Sequence, residues 1–211
     1  MTDSVEPHRN DVFVAPGADV DVRATIQPGT KIWHLAQVRE DARLGSDCVI
    51  GRGAYVGPGV RLGDNVKVQN YGLVYEPAVL GDGVFVGPAA VLTNDEYPRA
   101  VTPEGRLKGD DDWTAIGVTV GEGAAIGARA VCVAPVTVGR WALVAAGAVV
   151  TRDVPDFALV VGVPARRVAW VGRAGEPLVA KGDGRFVCPR TGGEYRESAG
   201  VLTEVCVRGD R

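Results

Sequence analysis

Several features that would narrow the function of a 211-residue chain are absent from this one. It has two histidines, His8 and His34. Its four cysteines, Cys48, Cys132, Cys188 and Cys206, form no C-x-x-C pair. That argues against a zinc ribbon or a dithiol redox centre and for free thiols. No apolar run approaches the roughly 20 residues of a membrane span. The opening "MTDSVEPHRND" lacks the charged-then-apolar order of a signal peptide, so the cytoplasm is the expected compartment. The net charge of -3 comes without a basic stripe, which argues against general nucleic-acid binding.

What is present is an apolar repeat. Hydrophobic residues make up 46% and charged residues 23%, enough for a soluble domain with a core. Gly 29 and Pro 13 favour turns over helices. From Val14 through Val20, Ile26, Ile32 and Val38 to Leu92, every sixth residue is aliphatic. Four residues after each stands a mostly small one, such as Ala18, Ala24, Thr30, Ala36 and Cys48. The pattern pauses after Leu92 and resumes from Val120 to Val150, with Cys132 on an aliphatic position. A helix would spread a period of six around its axis. In a strand, residues i and i+4 share a face. The repeat therefore predicts short strands joined by corners, with the aliphatic and small residues inside and "GPG", "GDN" and "GDG" at the turns. Cys48 and Cys132 fall on inward positions, which suits core packing.

This pattern resembles the hexapeptide-repeat, left-handed β-helix family over roughly residues 14–155. The resemblance implies an all-β fold of triangular coils, three hexads to a coil, usually assembled as a homotrimer. Residues 1–13 then form an N-terminal extension. Residues 93–113, "TNDEYPRAVTPEGRLKGDDDW", break the period and predict an ordered arm, which in that family reaches towards a neighbouring subunit. Residues 156–180 contain "GVPARRV", which resembles the family's closing turn. Residues 181–211 read as a small β-hairpin-like extension, where Cys188 in "CPRTG" has half of a metal knuckle and no other half.

The coil geometry singles out "VKVQNYGLVYEP", Val66 to Pro77. Residues stacked in adjacent coils lie about 4.8 Å apart. One corner column runs Pro16, His34, Arg52, Asn70, Pro88, and the next runs Val22, Glu40, Pro58, Glu76, Asn94. Glu76 and Asn94 should then be neighbours where the arm begins. From Gly45 to Gly87 the second hexad position is glycine except at Gln69 and Tyr75. Glycine eases a tight turn, so two successive replacements suggest that side chains are wanted there. Drift in a tolerant repeat is the alternative.

Two reaction classes dominate this fold. The γ-type carbonic anhydrase needs three histidines on zinc, and with His34 alone on the coils that class is excluded. Acyl transfer from acetyl-CoA remains. An O-acetyltransferase would use His34 as base, yet His34 lies two coils, about 10 Å, from Asn70. An amine acceptor needs less activation: positioning, an oxyanion donor and a destination for one proton. "GTKIWHLAQV", "VKVQNYGLVYEP", "TNDEYPRA" and "GVPARRV" together resemble nucleotide-linked amino-sugar N-acetyltransferases, in particular those acting on UDP-2-acetamido-3-amino-2,3-dideoxyglucuronate and dTDP-3-amino-3,6-dideoxyhexoses. That family often reads Q-N-N where this chain has Gln69-Asn70-Tyr71, and has a second histidine where it has Gln37.

The resemblance implies Asn70 and Glu76 as catalytic residues. It implies a sugar-nucleotide (UDP or dTDP) pocket lined by His34, Gln69, Tyr71, Tyr75, Asn94, Asp95 and Arg99. A planar guanidinium at Arg99 suits a diphosphate or a carboxylate, and a solvated arm residue is its alternative. For acetyl-CoA it implies the flat coil at Ala145 and Ala146, with backbone amides meeting the pantetheine, and Pro164, Arg166 and Arg167 near the phosphates. A polar helix face is the alternative for the two arginines. No metal is expected. A non-catalytic hexapeptide scaffold or binding protein is the reading from outside enzymology.

Overall fold

The computed structural model describes residues 11–205, so His8 and Cys206 lie outside the described residues. From Phe13–Val14 onward the chain forms two-residue strands, each followed by a corner. Every third strand stacks in parallel on the same face. Lys67 pairs with Val49 below and Phe85 above, 85 − 67 = 18 residues on, which is one coil. Three sheets result. The longest stacks eight parallel strands from Phe13–Val14 to Ala158–Val161 and adds Arg166–Trp170 antiparallel at its end. This is the left-handed parallel β-helix, with about eight turns.

The core follows directly from the hexad. Ile32, Ile50, Val68, Val86, Ile126 and Val144 form one fully buried column along the axis. Burying each such side chain stabilises by about 1.5–3 kcal/mol. Thr30 is buried too, and its hydroxyl donates to Gly45 O at 2.9 Å while accepting Cys48 N at 3.0 Å. At most corners the fourth hexad position adopts the left-handed conformation, with exceptions such as Arg23, Pro77 and Pro135. Asp41, Asp47 and Asn65 tolerate it, whereas Tyr71 (φ 59°) and Trp141 (φ 56°) are bulky residues in an unusual place.

The period survives the arm. Val79 pairs with Thr119 and Leu92 with Cys132. Each separation is 40 residues (119 − 79 and 132 − 92), one 18-residue coil plus 22 inserted residues. The neck is pinned where Ile116 N donates to Asn94 O at 3.0 Å and Ala134 N donates to Thr93 Oγ1 at 2.9 Å.

At the C-terminal end the polar helix face, the alternative for Arg166 and Arg167, does not form, and the extension holds more strands than a hairpin. Arg166 and Arg167 lie on the strand Arg166–Trp170, not on a helix, because the turn at Gly162–Ala165 folds this segment back along Ala158–Val161. Beyond it lies a sheet of four antiparallel strands, Val179–Gly182, Arg185–Val187, Glu194–Ser198 and Val201–Glu204, more than a single hairpin. It packs on the end of the β-helix. The Phe157 and Tyr195 rings meet edge-on at 5.5 Å, and Trp170 Nε1 donates to Glu197 Oε2 at 3.1 Å. None of the described helices is long and apolar enough to cross a membrane.

Candidate active site at the root of the arm

Glu76 and Asn94 are stacked neighbours, one coil apart. Asn94 Nδ2 donates to Glu76 Oε1 at 3.1 Å, while Oε2 is buried with no hydrogen-bond partner among the described residues. The carboxylate lies over Gly57 of the coil below, and a β-carbon there would collide with Oε2. The other second-position glycines have the same cause. A β-carbon at Gly51 would lie 2.6 Å from Asn70 N, and one at Gly81 2.8 Å from Glu122 N. Gly45, Gly51, Gly57, Gly63, Gly81 and Gly87 all lack the positive φ that favours glycine. Close approach of the next coil, not ease of turning, is what requires glycine at these positions.

Asn70 lies on the preceding corner, exposed. Its Oδ1 accepts Arg52 N at 2.9 Å, the same inter-coil bond that Asp64 makes to Ser46 N at 2.7 Å. Half of the amide is therefore structural, and the Nδ2 end is the part left for chemistry. Gln69 is half-buried beside it. The Tyr71 ring covers Gly53, where a β-carbon would come within 2.6 Å of Cε1, and the side chain is 54% exposed, so one face is open. Tyr75 packs its ring 5.1 Å from that of Tyr55. His34 shares the corner column of Asn70, with Arg52 between them. It is exposed and its ring lies 6.4 Å from that of Trp33.

Sequence reasoning missed Tyr55 and Arg39. Burial, then the negative charge of Glu76, pushes the Tyr55 phenol up, and Arg39 opposes this. Arg39 is paired with Glu40, with Nε 2.9 Å from Oε2. Tyr55 occupies an outward strand position in an otherwise regular hexad. The signal available was a large aromatic between Gln37 below and Leu73 above in one column.

The arm supplies a wall. Asp95 Oδ1 accepts Tyr97 N at 2.8 Å and starts the excursion. A bridge between Val101 and Leu107 and a two-pronged pair from Arg106 to Asp112 (2.6 and 2.9 Å) make the arm a closed hairpin. Two hollows of about 290 Å³ each flank it, both lined by Asp95, Lys108 and Trp113. Arg99 lines one of them, exposed, with Nη1 donating to Pro98 O at 3.0 Å. Lys108 carries no spacing signal, and only the fold brings it to Asp95.

The residues expected near the cofactor divide. Arg166 and Arg167 share a hollow of about 150 Å³ with Arg152, Pro155 and Ala165. The Arg167 guanidinium stands 4.1 Å over the Trp170 ring, and Arg166 Nη1 donates to Ala165 O at 2.8 Å. Pro164 is exposed in the adjoining turn. Ala145 and Ala146 are outside that lining. The Ala145 N–H donates to Val160 O at 2.9 Å within the β-helix, so this amide is already used, while Ala146 is exposed.

Among the described residues no group of three or more metal-ligating side chains occurs. Cys48, Cys132 and Cys188 are free and buried. Burial alone pushes the Cys132 thiol up to about 12, and the Thr191 side chain holds that of Cys188 below the ordinary range.

Comparison with known proteins places this geometry in context. Residues 41–73 match the model "Bacterial transferase hexapeptide (six repeats)" and residues 117–152 match "Hexapeptide repeat of succinyl-transferase". Over 88 residues the chain is 40% identical to the dTDP-3-amino-3,6-dideoxy-alpha-D-galactopyranose 3-N-acetyltransferase of Aneurinibacillus thermoaerophilus, covering 42% of this chain and 45% of that protein. Over 140 residues it is 35% identical to the bifunctional protein GlmU of Nitratidesulfovibrio vulgaris, covering 65% of this chain and 30% of that protein. These matches span less than half of each curated relative's own length. PerB from Caulobacter crescentus, solved in complex with CoA and GDP-perosamine, is similar at 28% identity and a TM-score of 0.46, over 74% of this chain and 58% of that one.

Proposed function

We propose that this chain, built of hexapeptide repeats of the bacterial-transferase type, is an acetyl-CoA-dependent N-acetyltransferase that acylates the 3-amino group of a nucleotide-linked sugar. The observation that carries the reading is the Glu76 carboxylate at the root of the arm, oriented by Asn94 and with one oxygen unpartnered. The sequence likeness to a dTDP-3-amino-sugar 3-N-acetyltransferase supports it. In this reading Tyr71 and Tyr75 offer rings to the sugar or base, and Asn70 Nδ2 and His34 offer polar contacts. Gln69 and Asp95 line the approach, and Arg99 meets the diphosphate. Arg166, Arg167 and the Pro164 turn receive the phosphates of acetyl-CoA, with Ala146 beside the pantetheine.

The neutral amine attacks the thioester carbonyl. A C–N bond forms, the C–S bond breaks with its electron pair going to sulfur, and the amine sheds one proton. Glu76 or the departing thiolate takes that proton. Amine acceptors need positioning more than activation, which fits a corner without a histidine beside Glu76.

A homotrimer completes the reading. The outward positions of one sheet change from Asp19 and Gln37 to Tyr55, Leu73, Val91, Val131 and Val149, all half-buried. Those of another are mostly polar: Thr25, Arg43, Arg61, Thr119 and Thr137, with Val79 the one apolar residue among them. The apolar strip is the face that symmetry-related copies would cover, and Glu76 lies at its edge.

The test is to follow thiol release with acetyl-CoA and a panel of UDP- and dTDP-linked amino and hydroxy sugars. Turnover with amines alone is expected. Turnover with hydroxyl acceptors alone, abolished by His34→Ala, overturns the reading in favour of O-acetylation. No transfer to any sugar points to a scaffold.

A further inference from the structure

Four corners of the β-helix share one device. An acidic or amide oxygen lies over a second-position glycine of the coil below and accepts the N–H of the residue after that glycine. Asp64 Oδ1 over Gly45 takes Ser46 N at 2.7 Å, and Asn70 Oδ1 over Gly51 takes Arg52 N at 2.9 Å. Asp82 Oδ1 over Gly63 takes Asp64 N at 2.8 Å, and Asp156 Oδ1 over Gly139 takes Arg140 N at 2.7 Å. Glu76 Oε2 occupies the corresponding place over Gly57. There the next residue is Pro58, which has no N–H to give. This is why Oε2 is buried without a partner. An orphaned buried acceptor in a folded protein calls for an explanation.

We propose that Pro58 is a positioning residue: by withholding the inter-coil N–H, it keeps one oxygen of Glu76 free to accept the proton shed by the attacking amine, an inference that rests on the N-acetyltransferase reading. A carboxylate that accepts a backbone N–H is stabilised in its charged form and is a weaker base. It is also tied to the wall. With only the Asn94 bond to exchange, Glu76 can turn towards the amine as the C–N bond forms and the C–S bond breaks. The proton then sits on Glu76 and leaves to the CoA thiolate or to water. Gly57 makes room for this arrangement and Asn94 orients it.

Replacing Pro58 by alanine restores the missing donor. In Pro58→Ala, kcat should fall by about tenfold with KM for both substrates held. The acid limb of the kcat–pH profile should move to lower pH, as for a weaker base. In a Glu76→Gln background the same substitution should not lower kcat further. Pro88→Ala, a corner proline of the adjacent column, should leave turnover unchanged. Independently of activity, the change in Tm caused by Pro58→Ala should be more favourable with Glu76 present than in Glu76→Ala, by about 2–4 °C for one added hydrogen bond. Normal kcat in Pro58→Ala overturns the inference and leaves the N-acetyltransferase reading standing. An equal fall in kcat in the Glu76→Gln background also overturns it, since the effect would then bypass Glu76. Absence of thermal coupling between positions 58 and 76 overturns it even if no sugar is turned over. A wild-type chain that acetylates no amino sugar overturns the functional reading itself.

Discussion

The wall of the β-helix and the arm that leaves it are organised by opposite means. In the wall each side chain is placed by its distance in sequence from the coil below, and the aliphatic columns hold that register over eight parallel strands. The arm inserts 22 residues (40 − 18) without shifting the register, and its shape comes from local contacts such as Arg106 with Asp112. The difference teaches where each kind of change should be felt. Substitutions in the wall should change stability, and substitutions in the arm should change ligand handling. The corner at Glu76 belongs to both, since its carboxylate is stacked by the wall and gripped by the first residues of the arm.

Four measurements would sharpen or break this contrast. Leu80→Ala, in a fully packed column, should cost about 2–5 kcal/mol in denaturant unfolding. A loss under 1 kcal/mol would mean the columns do not carry the fold. Glu76→Gln should reduce kcat by about 100-fold, or roughly 2.7 kcal/mol of transition-state stabilisation, with Tm nearly unchanged. Unchanged kcat would remove the corner from the chemistry. Trp113→Ala should raise KM for the nucleotide sugar by about tenfold, as loss of a stacking surface does, while the unfolding midpoint holds. A matching rise in KM for acetyl-CoA would assign the arm to the wrong ligand. Arg106→Ala has the smallest expected effect, under about 1 kcal/mol of global stability for an exposed ion pair. It should show as faster proteolysis within residues 93–113, and cleavage in the wall instead would reverse the contrast.

The limits of sequence reasoning follow the same division. The stacking of Glu76 with Asn94 was legible because both lie on one hexad position one uninterrupted coil apart, just after strands paired in register. The second-position glycines were legible as a pattern but not in cause. They avoid collisions with the coil above, which no local propensity reports. Tyr55 and Lys108 were illegible for a related reason. Tyr55 interrupts nothing in the hexad and Lys108 lies outside it, and each matters through residues well away in sequence, Glu76 for one and Asp95 for the other. The C-terminal segment lacks any repeat, so its four-stranded sheet and the strand bearing Arg166 and Arg167 emerged only from packing against the β-helix.

By itself the sequence determined the parallel β-helix, the point where the arm leaves it and which residues share a corner, because a period of six admits few other ways to bury one face. Tertiary structure alone decided what those corner residues do. Asn70 and Glu76 differ little as sequence, yet Asn70 meets the N–H of Arg52 and Glu76 meets Pro58, which has none. Whether a polar side chain is structural or free depends on the donor facing it one coil away, and that is fixed only when the coils close on each other.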